Sequence, residues 1–408
     1  MKIDDKTSHN SPSLRFPEFT GEWERCKLGT LATKVGSGST PKGGDAVYTS
    51  IGHYFVRSQN VGMGFLMLDN IAHINDDIHQ KHKATEIYEN DVLLNITGAS
   101  IGRTAVATKE LEGGNVNQHV CIIRTNSKVN PKFLCDYIQT QRIQNHIKSL
   151  QTGGSREGLN FEQIRSFPIS LPSINEQNKL TCLLDKINER IATQVRLIDR
   201  LQSLIKGIMV KLQQQGLSKG TWKRVPLSSI LKERTELNEG LLPVYSVSVS
   251  QGVVNQMEYL GRSFAAKDTS KYHVAHFGDL IYTKSPTGSF PYGIVKQNSN
   301  RYKVAVSPLY GVYTPATYFT GVFLQEYFKS EVNTFNYLHS LIQKGAKNTI
   351  NITNQRFLDN YILIPTDSND LQQISNLLLR LNAKKDLMQN MLQQYQEQKQ
   401  YLLRQMFI

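Results

Sequence analysis

Five polar clusters lie between apolar runs in the first half of the chain: Gly36-Ser37-Gly38-Ser39-Thr40-Pro41-Lys42-Gly43-Gly44, Arg57-Ser58-Gln59-Asn60, Thr97-Gly98-Ala99-Ser100-Ile101-Gly102-Arg103, Asn115-Val116-Asn117-Gln118-His119 and Gly153-Gly154-Ser155-Arg156. Four more lie in the second half: Tyr245-Ser246-Val247-Ser248, Lys284-Ser285-Pro286-Thr287-Gly288-Ser289, Ser307-Pro308-Leu309-Tyr310 and Lys344-Gly345-Ala346-Lys347-Asn348. Such side chains read base edges, Arg and Lys pairing with guanine, Asn and Gln with adenine, Ser and Thr with either. Apart from Asn115, the hydroxyl, amide, imidazole and basic side chains of these clusters are therefore the candidate DNA contacts. The glycines of the first cluster suit close approach of the backbone to phosphate. Similar placement with unlike residues is expected of two domains that recognise two unlike short sequences. Any one cluster alone reads as a solvated polar turn; the set carries the expectation.

Catalytic chemistry finds less support. The Gly36 loop lacks the Gly-Lys-Ser/Thr ending of a P-loop, and Pro41 stands where a dinucleotide fingerprint has its third glycine. The chain has no Pro-Pro, and so no Asn/Asp-Pro-Pro-aromatic motif of adenine-modifying methyltransferases. His73, His79 and His82 lie among Asp76, Asp77 and Glu86, but their spacing matches no HExxH or zinc-finger pattern, and a solvated polar segment is expected there. Cys26, Cys121, Cys135 and Cys182 show no CxxC spacing and are expected to be reduced and structural. No catalytic residue, metal site or cofactor is expected in this chain.

The elements that must position the clusters are duplicated. Apolar residues spaced alternately by three and four form a seam at Leu180, Leu184, Ile187, Ile191, Ile198, Leu201, Ile205, Ile208 and Leu212, with Gln194 among them. A second seam runs through Ile374, Leu378, Leu381, Met388, Leu392, Tyr395, Leu402 and Met406, interrupted by Lys385 and Lys399. Each position of the second lies 194 residues after its counterpart. Upstream, Trp23-x-Arg25-x-x-Leu28 matches Trp222-x-Arg224-x-x-Leu227, and Asp91-Val92-Leu93 matches Asp279-Leu280-Ile281. Strands that close on Leu171-Pro172 and Ile364-Pro365 end the two domains. Helices are predicted over 131–150, capped by Asn130, and over 320–341.

The fold class is therefore α+β, with two domains related by a pseudo-two-fold axis and separated by a long antiparallel coiled coil of two helices. The expected boundaries are a polar N-terminal segment 1–13, a first domain 14–172, a helix 173–217, a second domain 218–365 and a helix 366–408. A 36-residue seam over 177–212 would be ~54 Å long at ~1.5 Å per residue. Duplex DNA repeats every ~34 Å, so paired helices would act as a ruler between two half-sites.

The formal charge of +13 points to a polyanionic partner. It is uneven: 14–172 carry +2 and 218–365 carry +7. No stretch approaches the ~20 apolar residues of a membrane span, and the polar start lacks an apolar signal core, so cytoplasmic residence without a membrane partner is expected.

Several of these runs together resemble one family, the specificity subunit of type I DNA restriction-modification enzymes. They are Leu14-Arg15-Phe16-Pro17-x-Phe19-x-Gly21-x-Trp23, the stretch from Asp91 to Arg103, Asn117-Gln118-His119-Val120, the stretch from Gly153 to Phe161, and Leu171-Pro172-x-x-x-Glu176-Gln177. The resemblance covers nearly the whole chain. It implies two target recognition domains that read the halves of a split double-stranded DNA sequence, and helices that dock two modification subunits. Those subunits would use S-adenosylmethionine to methylate adenine, and restriction subunits would use ATP and Mg to translocate and cleave. The second domain departs where Gly98-Ala99-Ser100 becomes Pro286-Thr287-Gly288, and no Glu-Gln pair follows Pro365. Two other functions remain open, a helical adaptor that binds no DNA and a metal-dependent nuclease using the cluster from His73 to Glu86. Under the ruler expectation, seven residues added to each seam, ~10 Å of helix, lengthen the unread spacer between methylated half-sites; methylation mapping would show no change if the helices set no spacing.

Overall fold

The computed structural model describes residues 10–151, 158–262, 265–344 and 350–408. Ser155, Arg156, Lys347 and Asn348 lie outside these residues. The chain forms two compact units, Met1–Thr193 with Met391–Ile408, and Gln194–Asn390. Both boundaries fall inside the long helices Ile174–Ser218 and Ser368–Gln405, so each unit owns half of each helix.

In the first unit the central strand Val92–Asn95 lies between Val120–Thr125 and Thr104–Val106, and Ala32–Ser37 completes an antiparallel sheet. Val92 and Leu94 enter the main core; Leu93 enters a smaller core on the opposite face. Burial on both faces explains why this strand reads as an unbroken apolar run rather than an alternating one. The short strand Glu24–Lys27 pairs with Pro168–Leu171, joining the start of the domain to its end. Trp23 donates to Glu176, which also takes two bonds of 2.7 Å from Arg15, while Gln177 bonds the backbone at Lys128, Asn130 and Pro172. The Glu-Gln pair thus anchors the start of the first long helix to the domain.

The second unit repeats the plan. Leu280–Tyr282 lies between Gly311–Pro315 and Val295–Gln297, with Leu231–Glu233 at the edge, and Trp222–Pro226 pairs with Tyr361–Pro365. Leu280 and Tyr282 face the main core and Ile281 the smaller one. The repeated aspartate does the same work in both: Asp91 accepts from the Tyr88 amide and pairs bidentately with Arg124 at 2.8 Å, and Asp279 accepts from the His276 amide and pairs with Arg234 at 2.6 and 3.3 Å. Arg124 lies in the strand Val120–Thr125, whereas Arg234 follows the edge strand Leu231–Glu233, and Thr314 supports Arg234.

The seams bury as their spacing requires. In the first unit Leu180, Leu184, Ile187, Leu402 and Met406 share one core with Trp23 and Phe133, and Ile191 packs at its edge. In the second, Leu201, Ile205 and Leu378 share a core with Trp222, while Leu212, Ile374, Leu381 and Met388 pack against it. The N-terminal half of one helix thus meets the C-terminal half of the other in the first unit, and the reverse holds in the second, so the pairing is antiparallel. Ile198 is buried, and Leu392 and Tyr395 are half-buried. One position shifts: Met209 is buried where Ile208 is only partly so. The polar interruptions are satisfied, Gln194 donating to the Met388 carbonyl at 2.8 Å and Lys399 to Gln139 at 3.0 Å. Gln139 also donates to Asp136, whose carboxyl is pushed up to about 7 by burial.

Three expectations are corrected. The helices predicted over 131–150 and 320–341 are each two, Pro131–Gln139 with Gln141–Gln151 and Tyr318–Lys329 with Glu331–His339. Thr140 and Ser330 adopt extended backbone at the breaks, where their hydroxyls bond neighbouring backbone groups. His79 is not solvated: it is buried, hydrogen-bonded to Asn115 and stacked at 3.8 Å on His53. Cys182 is exposed rather than structural, unlike buried Cys121 and Cys135.

Asp91 is 1% exposed, so Arg124→Met would leave a buried carboxylate without its counter-charge. The expected cost is about 3–5 kcal/mol, read as a lower urea midpoint for the transition of the first unit; an unchanged midpoint would show that the pair does not hold the central strand.

Candidate nucleic-acid interface

In the first unit the central strand ends at Asn95, and the antiparallel ladder places Val120 opposite it. Residues 97–103 and the turn at 117–120 must therefore emerge at one sheet edge. Ala32–Ser37 reaches the same edge, because Ser37 lies opposite Cys121. Residues 57–60 join it through the parallel pairing of Val56 with Val116, and buried Asn95 ties them down by donating to the Ser58 carbonyl at 2.8 Å. Gly158, which follows the undescribed cluster at Gly153, bridges Thr97. Four separate polar clusters thus meet at one place.

Their side chains form a polarised chain. The Thr40 hydroxyl donates to the Gln118 amide oxygen, and the Gln118 amide nitrogen faces His119 Nε2 at 3.1 Å. With that amide orientation, His119 carries its proton on Nδ1 and donates it to the Thr97 hydroxyl oxygen at 2.6 Å. Ser39 lies 3.0 Å from His82 Nδ1. Ser39, Thr40, Lys42, Gln59, Arg103 and Gln118 are exposed, and Ser37, Arg57, Ser58, Thr97, Ser100 and His119 are half-buried. The Arg57 guanidinium lies 5.4 Å from the Tyr48 ring centroid, and its buried Nε has no hydrogen-bond partner among the described residues.

Two expected readers point inward. Asn60 is 3% exposed, accepting from the Arg57 amide at 3.0 Å and donating to the Met67 carbonyl at 2.9 Å. Asn117 is buried and accepts from the His119 amide, shaping the turn. The glycine loop also differs from expectation. Gly36 lies in a strand, and the Gly38 amide is spent on the Asn117 carbonyl. A Cβ at Gly38 would sit 1.6 Å from the Val116 carbonyl oxygen, so backbone packing rather than phosphate accounts for that glycine.

The second unit builds the corresponding edge with other residues. Tyr282 lies opposite Gly311, bringing the loop with Lys284, Ser285, Thr287 and Ser289 beside the turn with Ser307 and Tyr310. Lys284 is half-buried in the left-handed region at φ 57, and burial lowers its ammonium pKa. Ser285 and Ser289 are exposed, Ser289 donating to Glu331 at 2.6 Å. Tyr245 and Ser248 are buried, Tyr245 bonded to Tyr302 and pushed up to about 12 by burial, Ser248 bonded to Tyr259; both support the hairpin rather than face outward. Ser246 is half-buried and accepts from Gln256. Tyr310 packs against the small core that contains Tyr245. Lys344 lies in the short strand Gln343–Lys344, paired with Ile350–Asn351. Among the described residues no cluster of three His, Cys, Asp or Glu could hold a metal ion, and no helix is long and apolar enough to cross a membrane. Tyr48, His82 and Asn95 were not singled out as parts of this edge, because only tertiary pairing brings them there.

A model of the type I restriction modification DNA specificity domain matches residues 20–203. The chain is 24% identical over 163 residues to the type I restriction enzyme EcoBI specificity subunit of Escherichia coli, covering 38% of this chain and 34% of that protein. It is 21% identical over 212 residues to the putative type I restriction enzyme MjaX specificity subunit of Methanocaldococcus jannaschii, covering 51% and 49%. The matches span half or less of those relatives' lengths. The crystal structure of the type I restriction-modification system S subunit from M. genitalium shares the fold, with a TM-score of 0.62 and 12% identity over 98% of this chain and 99% of that one. A structure described for assembly of a type I R-M system matches at a TM-score of 0.50 and 17% identity over 93% and 96%.

Burial separates frame residues from candidate readers. Asn60→Ala is expected to lower thermal stability by about 1–3 kcal/mol by orphaning buried partners, whereas Gln118→Ala leaves it unchanged; calorimetry giving equal losses would place both in the frame.

Proposed function

We propose that this chain, whose residues 20–203 match the type I restriction modification DNA specificity domain, is the non-catalytic subunit that reads a split, asymmetric double-stranded DNA target. The observation that carries this proposal is the meeting of separate polar clusters at one sheet edge in each unit, on a repeated frame but with different side chains. Each edge reads one half of the target, and the paired helices set the spacing and dock two modification subunits. Those partners bind S-adenosylmethionine and methylate adenine in both halves. Restriction subunits, supplied with ATP and Mg, translocate and cleave. The assembly works in the cytoplasm without a membrane partner.

In this reading the half-buried and exposed candidates contact bases, while phosphate contacts supply most of the affinity. The first domain carries only +2 over 14–172, so the modification subunits contribute part of the phosphate-facing charge there. The His73 to Glu86 segment serves structure in this scheme, since His79 is committed to Asn115 and His53.

Strand-specific protection of a duplex by the chain with its modification subunits tests the proposal. Two protected base-reading segments separated by an unread spacer are expected, with adenine methylation in each; a single contiguous segment would overturn the two-edge scheme.

A further inference from the structure

Strand register aligns the two edges residue by residue. Leu94 and Tyr282 both stand three residues after the buried aspartates Asp91 and Asp279. Leu94 lies opposite Cys121, and Tyr282 lies opposite Gly311. Cys121 and Gly311 are therefore equivalent. Two residues earlier, Leu309 occupies the place of His119, and Pro308 that of Gln118. In the first unit this turn presents the imidazole and amide linked to Thr97 and Thr40. In the second unit the same two positions offer no polar side chain.

The turn in the second unit is nonetheless held firmly. The Tyr310 amide donates to the Ser307 carbonyl at 3.0 Å, and the Leu309 amide faces the Ser307 hydroxyl at 3.3 Å. His273 Nδ1 lies 2.9 Å from the Tyr310 carbonyl. Proline fixes its own φ and brings no amide proton. Leu309 is left 70% exposed at the tip of a braced turn, beside the loop of Lys284, Ser285 and Thr287. A lone exposed leucine is ordinary on a protein surface; one that replaces a polar reader on a fixed turn at the reading edge has a narrower explanation. The major-groove edge that rewards an apolar contact is that of thymine, through its 5-methyl group.

We propose that Leu309 is a specificity-determining residue of the second unit that recognises a thymine 5-methyl group in the major groove. This rests on the DNA-reading function proposed above and deepens it for one half of the target. The two edges then read by different chemistry, the first by hydrogen bonds through Gln118 and His119 and the second partly by apolar contact.

The test uses the chain assembled with its modification subunits on a duplex carrying the mapped target, with each thymine replaced in turn by deoxyuridine. One replacement, confined to one half, is expected to weaken binding about four-fold, the value of one buried methyl. Leu309→Ala should weaken binding to the unmodified duplex by a similar factor and abolish sensitivity to that replacement, with an unchanged melting temperature. The proposal is overturned if no thymine is methyl-sensitive or if the sensitivity survives in Leu309→Ala. Binding of the mapped target without methyl sensitivity defeats this inference alone, whereas failure of the assembled complex to bind any duplex sequence-specifically defeats the DNA-reading function itself.

Discussion

The two seams cannot be buried by the helices that carry them. A stripe of apolar residues spaced by three and four faces one side of a helix, and only another surface removes it from water. In each unit that surface comes partly from the sheet domain and partly from the opposite half of the other long helix. Leu180, Leu184 and Leu402 lie in one core with Trp23, and Leu201, Ile205 and Leu378 in another with Trp222. Neither main core is complete without segments far apart in the chain. The polar interruptions refine this constraint, because Gln194 and Lys399 are buried and each finds a partner on another segment of its unit, the Met388 carbonyl and Gln139. A shifted register would bury those groups unpaired, which is costlier than the stability they forgo by not being leucine.

With the helices fixed, each reading edge hangs from a central strand buried on both faces. The aspartate before that strand closes a turn through a backbone amide and neutralises its charge against an arginine. The carboxylate is retained while the arginine's origin changes, from Arg124 in one unit to Arg234 in the other. The constraint is thus the charge to be compensated at that point, and the compensation comes from the adjacent strand in one unit and from the residue after the edge strand in the other. The edges inherit their position from this ladder: once Asn95 is opposite Val120 and Tyr282 opposite Gly311, the loops beyond them have nowhere else to emerge.

The helices, the duplication and the apolar central strands were legible in the sequence because each is a periodic or repeated pattern of many residues. The breaks at Thr140 and Ser330 were not, since a single hydroxyl bonding its own backbone leaves no periodic trace. Polar clusters could be located but not sorted. Asn60 and Gln118 are both amides in polar runs, yet one is turned inward by the Met67 carbonyl and the other faces solvent, a difference set by contacts between segments. Gly38 misled for a related reason: its type announces close backbone approach without saying whether the approaching group is phosphate or the Val116 carbonyl. His79 misled because His-rich, acidic sequence reads as solvated until the partner Asn115 is seen.

The division between buried frame and exposed readers also explains how the two units differ without losing their common architecture. A change at Asn60, Asn117 or Tyr245 alters hydrogen bonds that shape a turn or hairpin, so its cost is counted in folding free energy. A change at Gln118 or Leu309 alters only what the turn presents, because the turn itself is closed by backbone groups and by Asn117 or Ser307. The side chains presented at these equivalent positions therefore differ, hydrogen-bonding in one unit and apolar in the other, while the two turns keep the same geometry. Charge follows a separate course: 14–172 carry +2 and 218–365 carry +7, although the sheets share one plan. Phosphate attraction depends on how many cations face the backbone, whereas base choice depends on which few atoms meet the groove. Under the proposed reading of DNA, the two halves thus contribute unequally to affinity and still contribute comparably to specificity.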